Sequence, residues 1–141
     1  MDKVLIHTDV ILDLLLDRKP FSDDAANFLS LCELKRIQGF VSPIIISKVY
    51  CILRQTAKHE KVIESLLQLM TIVDVLTIEK ATILQALGSE FTDFEDALQN
   101  YAAETDSNVT IIITRNIKDY KKSTLGVMTP ENFLKTGVTD I

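Results

Sequence analysis

A chain of 141 residues lies within the usual size range of one folding unit, and 47% hydrophobic against 25% charged residues is an ordinary globular balance. The net charge of −5 argues against a protein that coats nucleic acid through bulk electrostatics. It does not exclude a nucleic-acid enzyme, because carboxylates gathered to bind cations make an unloaded chain acidic.

Residues 1–6 lack the long apolar region of a secretory leader, and no run approaches the roughly 20 apolar residues that cross a bilayer. One domain over 1–141 is expected, without membrane contact. Folding at this size removes roughly two-thirds of the chain's surface from water, so a core needs no metal or disulfide staple. Trp is absent and aromatics are few, which leaves Ile, Leu, Val and Ala to build it. Cys32 and Cys51 fit no metal-ligand spacing and fall in amphipathic stretches, where a free thiol behaves as a small hydrophobe. That usage points to a reducing, cytoplasmic compartment.

In chain order, Val4-Leu5-Ile6 reads as a short strand apolar on both faces, and residues 10–16 as a helix ended before Pro20. Ser22 is expected to cap a helix with Asp23 and Asp24 in its first turn, stopped by Gly39. Phe40-Val41 is a second strand, and Ser42-Pro43 opens a helix to about Gln55. Another helix carries Val62, Ile63, Leu66, Leu67 and Met70, followed by a strand candidate at residues 72–75. Thr77 is expected to open a helix ending at Gly88, and Thr92 to cap one running from Asp93 to about Glu104. Residues 109–113 form the clearest strand; a loop over 115–119, a short strand near Val127-Met128 and a helix opened by Thr129-Pro130-Glu131 complete the chain. Alternating strands and helices predict a three-layer α/β/α sandwich on a parallel sheet of about five strands.

In such a sheet, ligands bind beyond the carboxyl ends of the strands, where strand order reverses. The informative residues are therefore His7-Thr8-Asp9 after the first strand and Thr114-Arg115-Asn116, then Asp119, after the late one. Asp93 and Asp96, three apart at a helix start, share a face. If the first and late strands are neighbours, Asp9, Asp96, Asn116 and Asp119 converge on one crevice. Clustered carboxylates repel unless protonated or neutralised, and hard Mg²⁺ or Mn²⁺ ions are their natural partners. Such ions activate water and stabilise charge on a phosphodiester.

The run His7-Thr8-Asp9-Val10-Ile11-Leu12-Asp13 resembles the opening of PIN domains, which reads Asp-Thr-Asn/Asp-Val-Ile-Leu-Asp. Asp93-Phe94-Glu95-Asp96-Ala97-Leu98 is similar to the family's internal Asp-Ala motif, and Ile113-Thr114-Arg115-Asn116-Ile117-Lys118-Asp119 to its late strand and loop. The resemblance runs from the first strand to the last helix. It implies a Mg²⁺- or Mn²⁺-dependent ribonuclease, often a dimeric toxin held inactive by an antitoxin. On that likeness Asp9, Asp96, Asn116 and Asp119 are the catalytic residues, with Asp9, Asp96 and Asp119 on the metal. His7, Thr8, Lys48, Asp93 and Thr114 are site neighbours, and Arg115 and Lys118 contact RNA. Two positions depart: His7 stands where the family has its first acid, and Lys48 where it has its second. They motivate the alternative of a fold that has lost hydrolysis and binds RNA or a protein. A phosphoacceptor or phosphatase domain is disfavoured, since no Asp-x-Asp pair follows the first strand and no glycine-rich phosphate loop exists.

Each residue also has a plainer reading. His59 lies among Lys58, Glu60 and Lys61 and reads as a surface histidine. His7 is either a neutral ligand suited to Mn²⁺ or Zn²⁺, or an imidazolium held by neighbouring acids; the second reading is favoured because the acids raise its pKa. Lys48 is either a solvated charge or a partner for Asp9, Asp96 or a phosphate. Asp93 suits the helix dipole. Asp13 and Asp17 read as solvated, and Arg115, Lys118, Lys121 and Lys122 as a basic rim.

Overall fold

A computed structural model describes residues 1–106 and 108–137. Five strands, β1 (Lys3–Ile6), β2 (Gln38–Val41), β3 (Val73–Val75), β4 (Val109–Ile113) and β5 (Gly126–Met128), form one parallel sheet in the order β3-β2-β1-β4-β5. Val4, Leu5 and Ile6 are all fully buried. Successive residues of a strand point to opposite faces, so this strand is covered on both sides and the architecture is a three-layer α/β/α sandwich.

The helices are α1 (Thr8–Leu15), α2 (Ser22–Glu33), α3 (Pro43–Leu53), α4 (His59–Met70), α5 (Lys80–Leu87), α6 (Phe94–Thr105) and α7 (Pro130–Leu134). A single turn of 3-10 helix, Ile117–Tyr120, follows β4. The main core packs the strands against Val10, Ile11, Phe28, Ile45, Val49 and Phe133. A smaller cluster of Ala86, Ala97 and Leu98 joins α5 to α6.

Several boundaries differ from the sequence reading. The second helix ends at Glu33, not at Gly39: Lys35 takes a left-handed φ of 59°. The amides of Lys35 and Arg36 turn back to the Cys32 and Leu31 carbonyls, closing the helix with a lysine where glycine is usual. Gly39 lies inside β2, and its role there is steric. A Cβ on it would come within 2.7 Å of Ile6 Cδ1 and 2.8 Å of Cys32 Sγ. Ser22 is the first residue of α2 rather than its cap, and α5 begins three residues after Thr77. Asp93, rather than Thr92, caps α6: its Oδ1 accepts the Asp96 N–H at 2.9 Å. Ser42 and Thr129 cap α3 and α7 as expected, each accepting an N–H three residues on, with Pro43 and Pro130 next in line. Cys32 is a buried free thiol whose pKa burial pushes up to about 12, which makes it an inert hydrophobe; Cys51 is free and exposed. Among the described residues no helix is long and apolar enough to cross a membrane.

Candidate active-site crevice

The strand order reverses between β1 and β4: from β1 the chain builds outward to β2 and β3, and β4 returns to its other side, with β5 beyond it. The last residues of these two neighbours therefore open onto the crevice where α/β sheets bind ligands. His7 stands there, its N–H bonded to the Ile113 carbonyl at 2.9 Å, its own backbone extended ahead of α1. Asp9 follows in the first turn of α1, Asp96 in the first turn of α6, and Thr114 immediately after β4.

Three stretches remote in sequence meet through one imidazole. His7 Nδ1 lies 3.1 Å from Asp9 Oδ1, and His7 Nε2 lies 3.3 Å from Asp96 Oδ1. Carboxylates only accept, so both ring nitrogens must carry hydrogen to satisfy them, and that state is the imidazolium. Burial alone would lower the His7 pKa; hydrogen bonds and charge from Asp9 and Asp96 outweigh it and raise the value to about 9. Burial would likewise raise the Asp9 pKa, but His7, the Arg115 N–H and the Thr114 hydroxyl hold it below the usual carboxylate value. Thr114 Oγ1 and the Arg115 N–H donate to Asp9 Oδ2 at 3.1 and 2.8 Å. Tyr120 donates its hydroxyl to Asp96 Oδ1 at 3.2 Å and sets its ring edgewise to His7. Burial first, then the Asp96 charge, keeps this phenol protonated.

Asn116 joins this network only through its backbone N–H, which donates to Thr114 Oγ1 at 3.0 Å, and the other predicted residues sit outside it. Asn116, Lys118 and Asp119 are exposed on the 3-10 turn. Thr8 is buried in the first turn of α1, and Asp93 is an exposed cap. Lys48 pairs with Glu95 at 3.0 Å, both half-exposed, rather than with Asp9 or Asp96. The Glu95 hydrogen bond raises the Lys48 pKa. His59 takes a surface position against Tyr50, 2.9 Å from its hydroxyl.

Asp13 is where the sequence reading fails. It is 1% exposed, not solvated, and binds two arginines: Arg18 Nε at 2.8 Å, Arg115 Nε at 2.6 Å and Arg115 Nη2 at 3.0 Å. Arg115 also lies over the Phe21 ring, 3.9 Å from its centroid. This guanidinium is thereby turned away from the basic rim expected to face a phosphate backbone. The spacing of Asp9 and Asp13, one helical turn apart on a face otherwise apolar, was the available signal. Tyr120, beside Asp119, was also overlooked.

The side chains do not fit a divalent ion as they stand. Both oxygens of Asp9 accept hydrogen bonds, Asp96 Oδ1 accepts two, and the His7 ring occupies the space between the acids. Among the described residues no group of three or more His, Cys, Asp or Glu side chains is arranged to hold a metal.

A comparison with protein families matches the PIN domain over residues 3–118. The chain belongs to the PIN-domain family. Solved structures agree on the fold. FitAB bound to an IR36 DNA fragment matches with a TM-score of 0.65 at 18% identity, over 90% of this chain and 94% of that one. VapBC-1 from nontypeable Haemophilus influenzae matches with 0.66 at 16%, over 92% and 98%. VapC20 from Mycobacterium tuberculosis, a toxin that cleaves the sarcin-ricin loop, matches with 0.59 at 16%, over 77% and 86%. No curated protein matches the chain. Within this PIN fold, His7 stands at the end of the central strand as a cation among acids.

A pH dependence of stability follows. Because the folded chain keeps the His7 proton after the unfolded chain releases it, this contribution is full below pH 6.5, the unfolded value. It then falls by about 1.4 kcal/mol per unit as pH rises, and is gone above about 9. Urea unfolding of the chain should lose up to about 3 kcal/mol across that window. His7→Gln, which has no proton to lose, should remove this limb. Equal alkaline slopes in both chains would contradict it.

Proposed function

We propose that this PIN-domain protein is a binding module of the toxin–antitoxin type whose crevice is closed to metal-dependent hydrolysis. The observation that carries this reading is the His7 ring between Asp9 and Asp96. An imidazolium there neutralises the acids from within, and a second cation entering the same space would meet its charge. No step of phosphodiester hydrolysis is assigned to the chain in this state.

The favoured partner is a protein. Solved structures with this fold include FitAB and VapBC-1, toxin–antitoxin complexes, which supports an antitoxin-like partner here. The net charge of −5 and the diversion of Arg115 onto Asp13 both weigh against tight RNA binding. The exposed Ile83, Leu84 and Leu87 on α5 support the homodimer that the family resemblance implies.

The rival reading is the Mg²⁺- or Mn²⁺-dependent ribonuclease, with Asp9, Asp96, Asn116 and Asp119 as its catalytic residues. A cleavage assay on structured RNA, with and without Mn²⁺, separates the two. The unmodified chain should leave RNA intact in both conditions, and His7→Asp combined with Lys48→Glu should gain Mn²⁺-dependent cleavage. Cleavage by the unmodified chain that Asp96→Asn abolishes would establish the rival.

A further inference from the structure

We propose that the inner face of α6 holds ordered water between Asn100, Gln99 and Asp96, and that Asn100 positions the Asp96 carboxylate through it. Two buried carboxamides lie outside the His7 network: Asn100 is 1% exposed and Gln99 3%. Among the described residues, Asn100 Nδ2, Asn100 Oδ1 and Gln99 Oε1 all lack a hydrogen-bonding partner. Burying such groups unpaired is costly, so buried polar atoms in folded chains find a protein partner or an ordered water.

Turning the amide over does not change this. Exchanging the oxygen and nitrogen of Asn100 leaves both unpaired, because neither position has a partner. Helix geometry gives the direction. At about 100° per residue, Asp96, Gln99, Asn100 and Ala103 share one inward arc of α6, and all four are buried. A helical side chain leans over the preceding turn, so the Asn100 carboxamide lies toward Asp96, four residues back. Both side-chain donors to Asp96, His7 and Tyr120, go to Oδ1; among the described residues none goes to Oδ2. Ala103, one turn beyond both carboxamides, adds only a methyl to this face and leaves room beside them.

The mixture of groups selects the occupant. A cation would meet the Nδ2 donor, and an anion would meet the oxygens of Gln99, Asn100 and Asp96. Water both donates and accepts. One molecule can accept from Asn100 Nδ2 and donate to Asp96 Oδ2, and a second can donate to Asn100 Oδ1 and Gln99 Oε1. The first of these ties the carboxylate that holds His7 to the helix turn behind it.

The test reads rotating-frame Overhauser contacts between water and side-chain amides in the isotope-labelled full chain. The sign of such contacts separates a held water from hydrogen exchange. The Asn100 and Gln99 amide protons should both show water contact in the unmodified chain. Asn100→Leu, similar in size but apolar, should lose the contact at Gln99, move the Asp96 carboxyl carbon signal and lower the folding equilibrium constant about tenfold. Asn100→Ser, whose hydroxyl can hold water in the same place, should keep the Gln99 contact and the Asp96 signal. Absence of water contact at Asn100 in the unmodified chain, or an Asn100→Leu chain at least as stable as the unmodified one, would overturn the site. An Asp96 signal unmoved by Asn100→Leu, or moved equally by Asn100→Ser, would overturn the positioning role. If Asn100→Leu fails to fold, the unmodified chain and Asn100→Ser decide alone. None of these outcomes depends on whether the His7 crevice cleaves RNA, so the two readings fail separately.

Discussion

His7→Asp should destabilise the chain by about 4 kcal/mol at pH 8 in the absence of metal, lowering the melting temperature by about 15 °C. The substitution removes the cation between Asp9 and Asp96 and sets a third carboxylate in its place. Two buried acids that lose their counter-charge, and gain a like charge, are the costly side of a buried ion pair. The loss should shrink toward pH 5, where one of the three carboxyls takes up a proton and relieves the repulsion. Mn²⁺ should then act as a stabiliser: at a hundredfold over its dissociation constant it returns about 2.7 kcal/mol. The unmodified chain should show no Mn²⁺-dependent shift. Differential scanning calorimetry of both chains, with and without Mn²⁺, checks the four values together.

Asp13→Ala should cost about 4 kcal/mol, with no dependence on added metal. Its carboxylate is 1% exposed and accepts bonds from Arg18 and Arg115, so removal leaves two guanidinium groups around an empty buried site. Partial exposure of both arginines lets water recover some of the loss, which keeps the effect below that of a fully enclosed pair. Asp13→Asn should lie between, since the amide oxygen still accepts one bond. The effect should also reach the crevice, because Arg115 holds Asp9 through its own backbone N–H. Urea unfolding gives the stability; the His7 ring signals in the NMR spectrum report the displacement. A change under 1 kcal/mol for Asp13→Ala would mean that the arginines find equivalent partners elsewhere.

Much of the fold was legible because short all-apolar strands alternate with amphipathic helices, and that pattern admits few topologies. Val4-Leu5-Ile6 read as a strand buried on both faces and residues 109–113 as the clearest strand; the two are neighbours, the first buried throughout and the second with Thr110 exposed. What resisted reading were positions where tertiary packing overrides local chemistry. Gly39 looked like a helix stop, yet its glycine is required by the approach of Ile6 and Cys32, which come from other elements. Lys35, with an ordinary side chain, carries the left-handed turn instead.

The crevice was legible by position more than by partnership. The placement of His7, Asp9, Asp96 and Thr114 follows from the strand ends. That one imidazole bridges two acids 89 residues and two residues away depends on side-chain directions no sequence spacing encodes. Asp13 shows the same gap from the other side. Its two arginines come from five and 102 residues away, and only folding reveals that a carboxylate on an apolar face has partners.

Isothermal titration of the unmodified chain with Mn²⁺ at neutral pH tests the closed crevice most directly. Heats of dilution alone are expected, with saturable binding appearing in His7→Asp/Lys48→Glu. Stoichiometric Mn²⁺ binding by the unmodified chain, lost in Asp96→Asn, would contradict it.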